Sequence, residues 1–240
     1  MKVAILETDI LRDTLKPTYV GYGRMFQQLF DRVGADWEMP IFSVIQGEYP
    51  ETIDDFDAYL ITGSKHDAFA DDDWIVRLRE YSQQLFAAGK PMLGICFGHQ
   101  LLAHALGGRA ERAGSGWGLG VMHYQLDEQP GFIDSADDVS LLVSHRDQVT
   151  ALPPGAKPLL SSHFCPMAAF FIPDQVLCFQ GHPEFSKDYE QALLEYREND
   201  VSAEQMKRIR ASLDDVHQGE RIGLWMKRFL EQASRAPLQH

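Results

Sequence analysis

Two short runs in this chain carry residues that can do covalent chemistry together: Gly94-Ile95-Cys96-Phe97-Gly98 and Gly181-His182-Pro183-Glu184-Phe185. In the first, a cysteine lies between glycines where an apolar run, Met92 to Ile95, meets a helical stretch, Gln100 to Leu106. A nucleophile on a tight strand-to-helix turn needs small neighbours, because the backbone is strained there and flanking side chains collide. The free N–H groups of the helix start favour negative charge on the sulfur, the form in which cysteine attacks. A small buried cysteine that only packs a helix against a strand would carry the same pentapeptide, so the second run has to decide.

His182 directly follows the apolar run Val176 to Gln180. That puts the imidazole at the carboxyl end of a strand, the edge at which open α/β sheets bind ligands. Pro183 disfavours helix at His182, and in an extended segment residues i and i+2 project to the same side. Glu184 can then accept a hydrogen bond from one imidazole nitrogen and set the tautomer, while the other nitrogen faces a thiol. Cys96, His182 and Glu184 thus form a nucleophile, base and orienter in chain order; a surface His-Pro-Glu turn without a role is the alternative. A zinc deaminase site would need P-C-x-x-C downstream of H-x-E, and no cysteine follows Glu184. His99 and His104, five apart on a helix, do not share a face, so no metal is expected.

The elements that must position these residues are legible in the apolar spacing. Val3 to Leu6 reads as a buried strand, and Tyr22 to Val33 as a helix with Met25, Phe26, Leu29 and Phe30 on one face. Strands over Trp37 to Val44 and Ala58 to Thr62 follow, then a helix over Trp74 to Ala88 behind the acidic cap Asp71-Asp72-Asp73. Beyond Gly107-Gly108 the pattern turns to short β segments: Val121 to Leu126, Val139 to Val143, Pro158 to Ser162, Met167 to Ile172 and Val176 to Gln180. The tail reads as helices over Tyr189 to Tyr196, Ala203 to Leu213 and Ile222 to Ala233. This alternation predicts an α/β fold: one three-layer domain over residues 1–240 with a mostly parallel central sheet, an added β ribbon and a helical C-terminal extension. The core is placed at residues 1–190 and the extension at 190–235, within a few residues. Gly21 to Phe26 lacks the third glycine of a dinucleotide-binding turn.

A formal charge of −13 argues against nucleic acid and against an anionic membrane surface as partners. Cys96, Cys165 and Cys178 form no CxxC pair and leave an odd one, so neither a disulfide framework nor a zinc ribbon is indicated. Acidic residues Glu7 and Asp9 come too early for a signal peptide, and no apolar run reaches membrane-spanning length. A cytoplasmic location is expected.

The runs Leu60-Ile61-Thr62-Gly63-Ser64, Gly94 to Leu102, Ser144-His145-Arg146-Asp147-Gln148-Val149 and Gly181 to Phe185, in this order, resemble the class I glutamine amidotransferases. The similarity is to free-standing proteins like the amidotransferase domain of GMP synthetase, and it extends from Val3 to about Tyr189. It implies hydrolysis of the glutamine γ-carboxamide through a thioester on Cys96, with His182 as base and acid and Glu184 orienting it, and no organic cofactor. It implies an oxyanion hole from the Phe97 N–H and the loop at Gly63. Substrate contacts are implied for Ser64, Gln100, Ser144 and His145; Trp117, between Gly116 and Gly118, either lines the pocket or packs a turn. Gly63-Ser64-Lys65 replaces the Gly-Gly-Pro common in the family, which leaves substrate preference open. No synthetase domain follows Glu184, so ammonia would pass to a separate synthetase chain. Two alternatives are a γ-glutamyl peptidase that uses the same thioester chemistry on γ-glutamyl peptides or conjugates, favoured by space for a larger leaving group, and a non-catalytic regulatory subunit.

Overall fold

The computed structural model describes residues 1–235. In chain order the elements are β1 (Val3–Glu7), α1 (Lys16–Tyr19), α2 (Tyr22–Arg32), β2 (Ile41–Ser43), β3 (Ala58–Ile61), α3 (Asp73–Ala87), β4 (Met92–Ile95) and α4 (Phe97–Ala105). There follow β5 (Arg109–Arg112), β6 (Gly118–Leu126), β7 (Val139–His145), β8 (Asp147–Ala151), β9 (Lys157–Ser161), β10 (Ala169–Ile172) and β11 (Val176–Phe179). Three helices close the fold: α5 (Lys187–Glu195), α6 (Ala203–Ser212) and α7 (Gly219–Ala233).

The short runs β3, β4 and β11 are buried at every residue, as strands covered on both faces must be. They lie in one sheet of order β2-β1-β3-β4-β11-β10-β9-β6-β7. Pairing is parallel from β2 to β11 and antiparallel from β11 to β7. One face buries Phe26 and Leu29 of α2 together with Trp225, Phe229 and Leu230 of α7. The other buries Ile75, Leu78 and Leu85 of α3 with Leu101 and Leu102 of α4. The three layers follow, and α7, last in the chain, is part of a core layer. Among the described residues no helix is long and apolar enough to cross a membrane.

Several boundaries differ from those read in the sequence. The strand expected over Trp37 to Val44 is only Ile41–Ser43: Pro40 has no N–H to give a ladder, and Val44–Gln46 coils into a 3-10 turn closed by left-handed Gly47. The added β ribbon is the β5–β8 pair, and the apolar pattern does not locate it: Arg-Ala-Glu-Arg is too polar to signal a strand, and only Ala110 of β5 is buried. Helix α4 begins at Phe97 rather than Gln100, because close backbone packing tolerates Gly98 in its first turn.

That packing explains both glycines of the cysteine run. A Cβ on Gly98 would lie 2.3 Å from the Ile61 carbonyl oxygen, and one on Gly94 would lie 2.7 Å from the Gly98 oxygen. Backbone atoms cannot yield as a flexible side chain can, so α4 sits against β3 and β4 only with glycine at these positions. Gly98→Ala is expected to destabilise the fold by about 1–3 kcal/mol, read as a lower urea midpoint with unaltered slope. An unaltered midpoint would mean that the helix can move freely.

Candidate active site

Cys96 is the residue between β4 and α4, with φ 52° and ψ −99°, in a region that L side chains rarely adopt. The surrounding backbone holds it there: its N–H donates to the Phe179 carbonyl at 2.8 Å, its carbonyl accepts from Gln100 N–H at 3.1 Å, and Gly98 N–H donates to Thr62 O at 3.2 Å. The sulfur accepts from Gln180 Nε2 at 3.6 Å and is almost fully buried. Phe97 turns its ring away onto Trp74 of α3 (centroids 5.6 Å apart), and its N–H, at the first helical position, has no intrahelical acceptor.

His182 is fixed from three sides. Its N–H donates to Leu142 O of β7 at 2.8 Å, its ring stacks on Phe185 with centroids 3.8 Å apart and planes 11° apart, and Nδ1 lies 2.8 Å from Glu184 Oε1. A carboxylate partner makes Nδ1 the protonated nitrogen. Both side chains are buried. Burial pulls the imidazole's pKa down, but the Glu184 carboxylate and then Cys96 outweigh it and hold the group up, at about 10. His182 is therefore held as the imidazolium at neutral pH.

Gly63 separates the two groups. A Cβ there would lie 2.8 Å from His182 Cε1 and 3.7 Å from Cys96 Cβ. The loop is pinned to the end of β1, where Thr8 Oγ1 donates to Gly63 O at 2.8 Å and lies 3.1 Å from Thr62 O. Lys65, the third residue of the altered loop, is tied by Asp9, which accepts from its backbone N–H at 3.0 Å and from Nζ at 2.8 Å.

Two clefts meet at Cys96, and Ser64, Lys65, Ser144 and Arg197 border both. The first runs over Leu11, Leu15 and Leu193 and is also bordered by His182; the second runs along Gln100, Trp117, His145 and Arg146. Ser64, Gln100, Trp117, Ser144, His145 and His182 thus share the walls of the two clefts with Cys96, while Glu184 meets the site through His182. Gln100 is no exposed helix residue: it is buried, and its Nε2 donates to Asp147 O at 2.8 Å and Gln180 Oε1 at 3.1 Å. Trp117 lines the second cleft between two guanidinium groups, Arg197 at 3.9 Å and Arg146 at 5.4 Å from its ring centre. His145 is buried with Nδ1 3.0 Å from Asp147 O, and burial lowers its pKa to about 4, so it is neutral. His99, also neutral because burial lowers its pKa to about 3, sits in the core with its edge on Phe170.

Sequence reasoning passed over Gln180, Asp9, Arg146 and Arg197. For Gln180 a signal existed: it stands two before His182, on the same side of an extended segment. Asp9 follows β1 at the ligand-binding edge of the sheet, and Arg146 adjoins Ser144-His145. Arg197 comes just past α5 and nothing local marks it.

A family model for glutamine amidotransferase class-I matches residues 43–198. Gamma-glutamyl peptidase 3 of Arabidopsis thaliana is 38% identical over 183 residues, which cover 72% of this chain and 73% of that protein. GMP synthase [glutamine-hydrolyzing] of Thermus thermophilus is 44% identical over 105 residues, 42% of this chain and 20% of that protein. The crystal structure of a glutamine amidotransferase from Thermotoga maritima superposes with a TM-score of 0.76 at 17% identity, covering 98% of this chain and 99% of that one. With its elbow cysteine, buried His-Glu pair and family match over most of its length, the chain belongs to the class I glutamine amidotransferases.

Proposed function

We propose that this protein hydrolyses γ-glutamyl amide bonds through a thioester on Cys96, and that its substrate is a γ-glutamyl peptide rather than free glutamine. The observation that carries the chemistry is a strained elbow cysteine sharing one cleft with a buried imidazole held cationic by Glu184. The Cys96 thiolate attacks the γ-carbonyl carbon, and the oxyanion is met by the Phe97 N–H and the N–H groups of the Gly63-Ser64 loop. The C–N bond breaks as His182 gives its proton to the departing amine. Water then loses a proton to His182 and attacks the thioester; the C–S bond breaks, releasing glutamate and restoring the thiolate–imidazolium pair.

The peptide preference is supported by the shape of the site. Ammonia as leaving group needs no more room than a water molecule, yet the site continues past Cys96 in two directions, and the glutamyl end fills only one of them. The similarity to a γ-glutamyl peptidase points the same way. The second reading is glutamine hydrolysis with ammonia passed to a separate chain, and the local match to a GMP synthase favours it.

The test is intact mass after a glutamine-analogue chloroketone, beside product release from a γ-glutamyl dipeptide and from glutamine. One adduct on Cys96, with much faster cleavage of the dipeptide, is expected. Adduct with ammonia release from glutamine alone would select the second reading, and no adduct with no turnover would leave a regulatory subunit. Gly63→Ala should cut dipeptide turnover by about 10²-fold with an unaltered circular dichroism spectrum, because the new methyl pushes the His182 ring out of line. Turnover near wild type would show that the ring has slack.

A further inference from the structure

We infer that the two clefts have different occupants, and that Arg12 binds the free carboxylate of the leaving group of a γ-glutamyl peptide; this rests on the hydrolase assignment above. The polarity of the site follows from which charges are already used. In the second cleft Arg146 has no carboxylate within salt-bridge distance among the described residues, and Asp67 and Asp147 border the same cleft. A free cation beside acids suits the α-carboxylate and α-ammonium of an amino acid, which places the glutamyl end there.

The first cleft then takes what leaves. Its floor is apolar, with Leu11 and Leu15 nearly buried and Leu193 beside them. Besides His182, which Glu184 neutralises, its rim carries three cations, and two are neutralised: Lys65 by Asp9 at 2.8 Å and Arg197 by Asp200 at 3.1 Å. Arg12 is the third. Its guanidinium lies 4.4 Å from the Tyr196 ring centre, and among the described residues no carboxylate stands within salt-bridge distance of it. In a chain of net charge −13, an exposed cation without an acid beside an apolar floor can pair with the anionic end of an apolar ligand. An amino acid or short peptide with an apolar side chain and a C-terminal carboxylate fills both; ammonia, or an amine without the acid, does not.

The experiment compares γ-glutamyl-leucine with γ-glutamyl-isopentylamide, which has the same branched side chain and no carboxylate. For the unmodified protein kcat/KM should favour the dipeptide by about ten-fold or more, the range expected of a charge-assisted contact. Arg12→Gln should collapse that ratio towards one by slowing the dipeptide, and Arg12→Lys should keep part of it, because a point charge replaces a planar fork. An equal rate on both substrates, or a ratio that Arg12→Gln leaves standing, would overturn the role of Arg12 while the hydrolase assignment holds. Cleavage of neither, with no chloroketone adduct on Cys96, would remove the hydrolase assignment and this inference with it.

Discussion

Cys96→Ala should lower turnover of a γ-glutamyl dipeptide by about 10⁴-fold or more while the protein stays folded, because losing the nucleophile of a concerted set removes the covalent route entirely. The fold should tolerate the change. The thiol accepts a hydrogen bond from Gln180 at 3.6 Å, and sulfur is a weak acceptor, so little is lost with it. The strain at φ 52° also remains, since alanine has the same backbone restrictions as cysteine. Steady-state kinetics beside a thermal melt will check this. Turnover close to the unmodified protein, with the same melting profile, would end the covalent mechanism.

Glu184→Gln is expected to cost about 10²- to 10⁴-fold, less than the loss of His182, and to move the alkaline limb of the pH profile towards acid. The unmodified imidazole holds its proton to about pH 10: burial opposes the charge, and Glu184 is the first of the groups that outweigh it. Glutamine keeps a hydrogen-bonding oxygen near Nδ1 and removes the negative charge. Only Cys96 is then left to oppose burial, the imidazolium loses its proton at lower pH, and the proton donor for the departing amine is lost earlier on the alkaline side. Stability moves with it. Because the folded-state pKa is raised, the pair's contribution is complete below the ordinary histidine value of about 6.5 and is lost as pH climbs towards 10. The unfolding midpoint of the unmodified protein should therefore fall over that window, and that of Glu184→Gln should start lower and fall less. A variant whose alkaline limb and melting profile match the parent's would show that another group carries the charge.

The parts of the site legible in the primary structure share a physical origin in local geometry. Gly94, Cys96 and Gly98 announce a turn in which backbone meets backbone, and a Cβ 2.3 Å from a carbonyl shows why no other residue serves at Gly98. Pro183 keeps His182 extended, so an acid two residues on can reach the same imidazole, and it does so at 2.8 Å. Buried apolar runs of four residues likewise mark β4 and β11, the parallel strands whose ends carry both groups. These relations span a few residues, and the sterics of the chain enforce them wherever the segment lies.

What surrounds Cys96 is of another kind. Gln100 reads in isolation as a helix polar residue or a substrate contact; it is in addition the buried tie between Asp147 O of β8 and Gln180 just past β11, which only the sheet and its ribbon bring near. Arg12 and Arg197 stand in a loop after β1 and just past α5, with no periodicity or spacing to link them, yet both reach the rim of one cleft. Asp9 neutralises Lys65 across the gap between two strand ends, and that pairing decides which cation at the rim stays free. Nucleophile, base and orienter are set by rotations within a few bonds, whereas substrate polarity depends on which distant side chains cancel one another's charge, and those neighbours exist only once the sheet has assembled them.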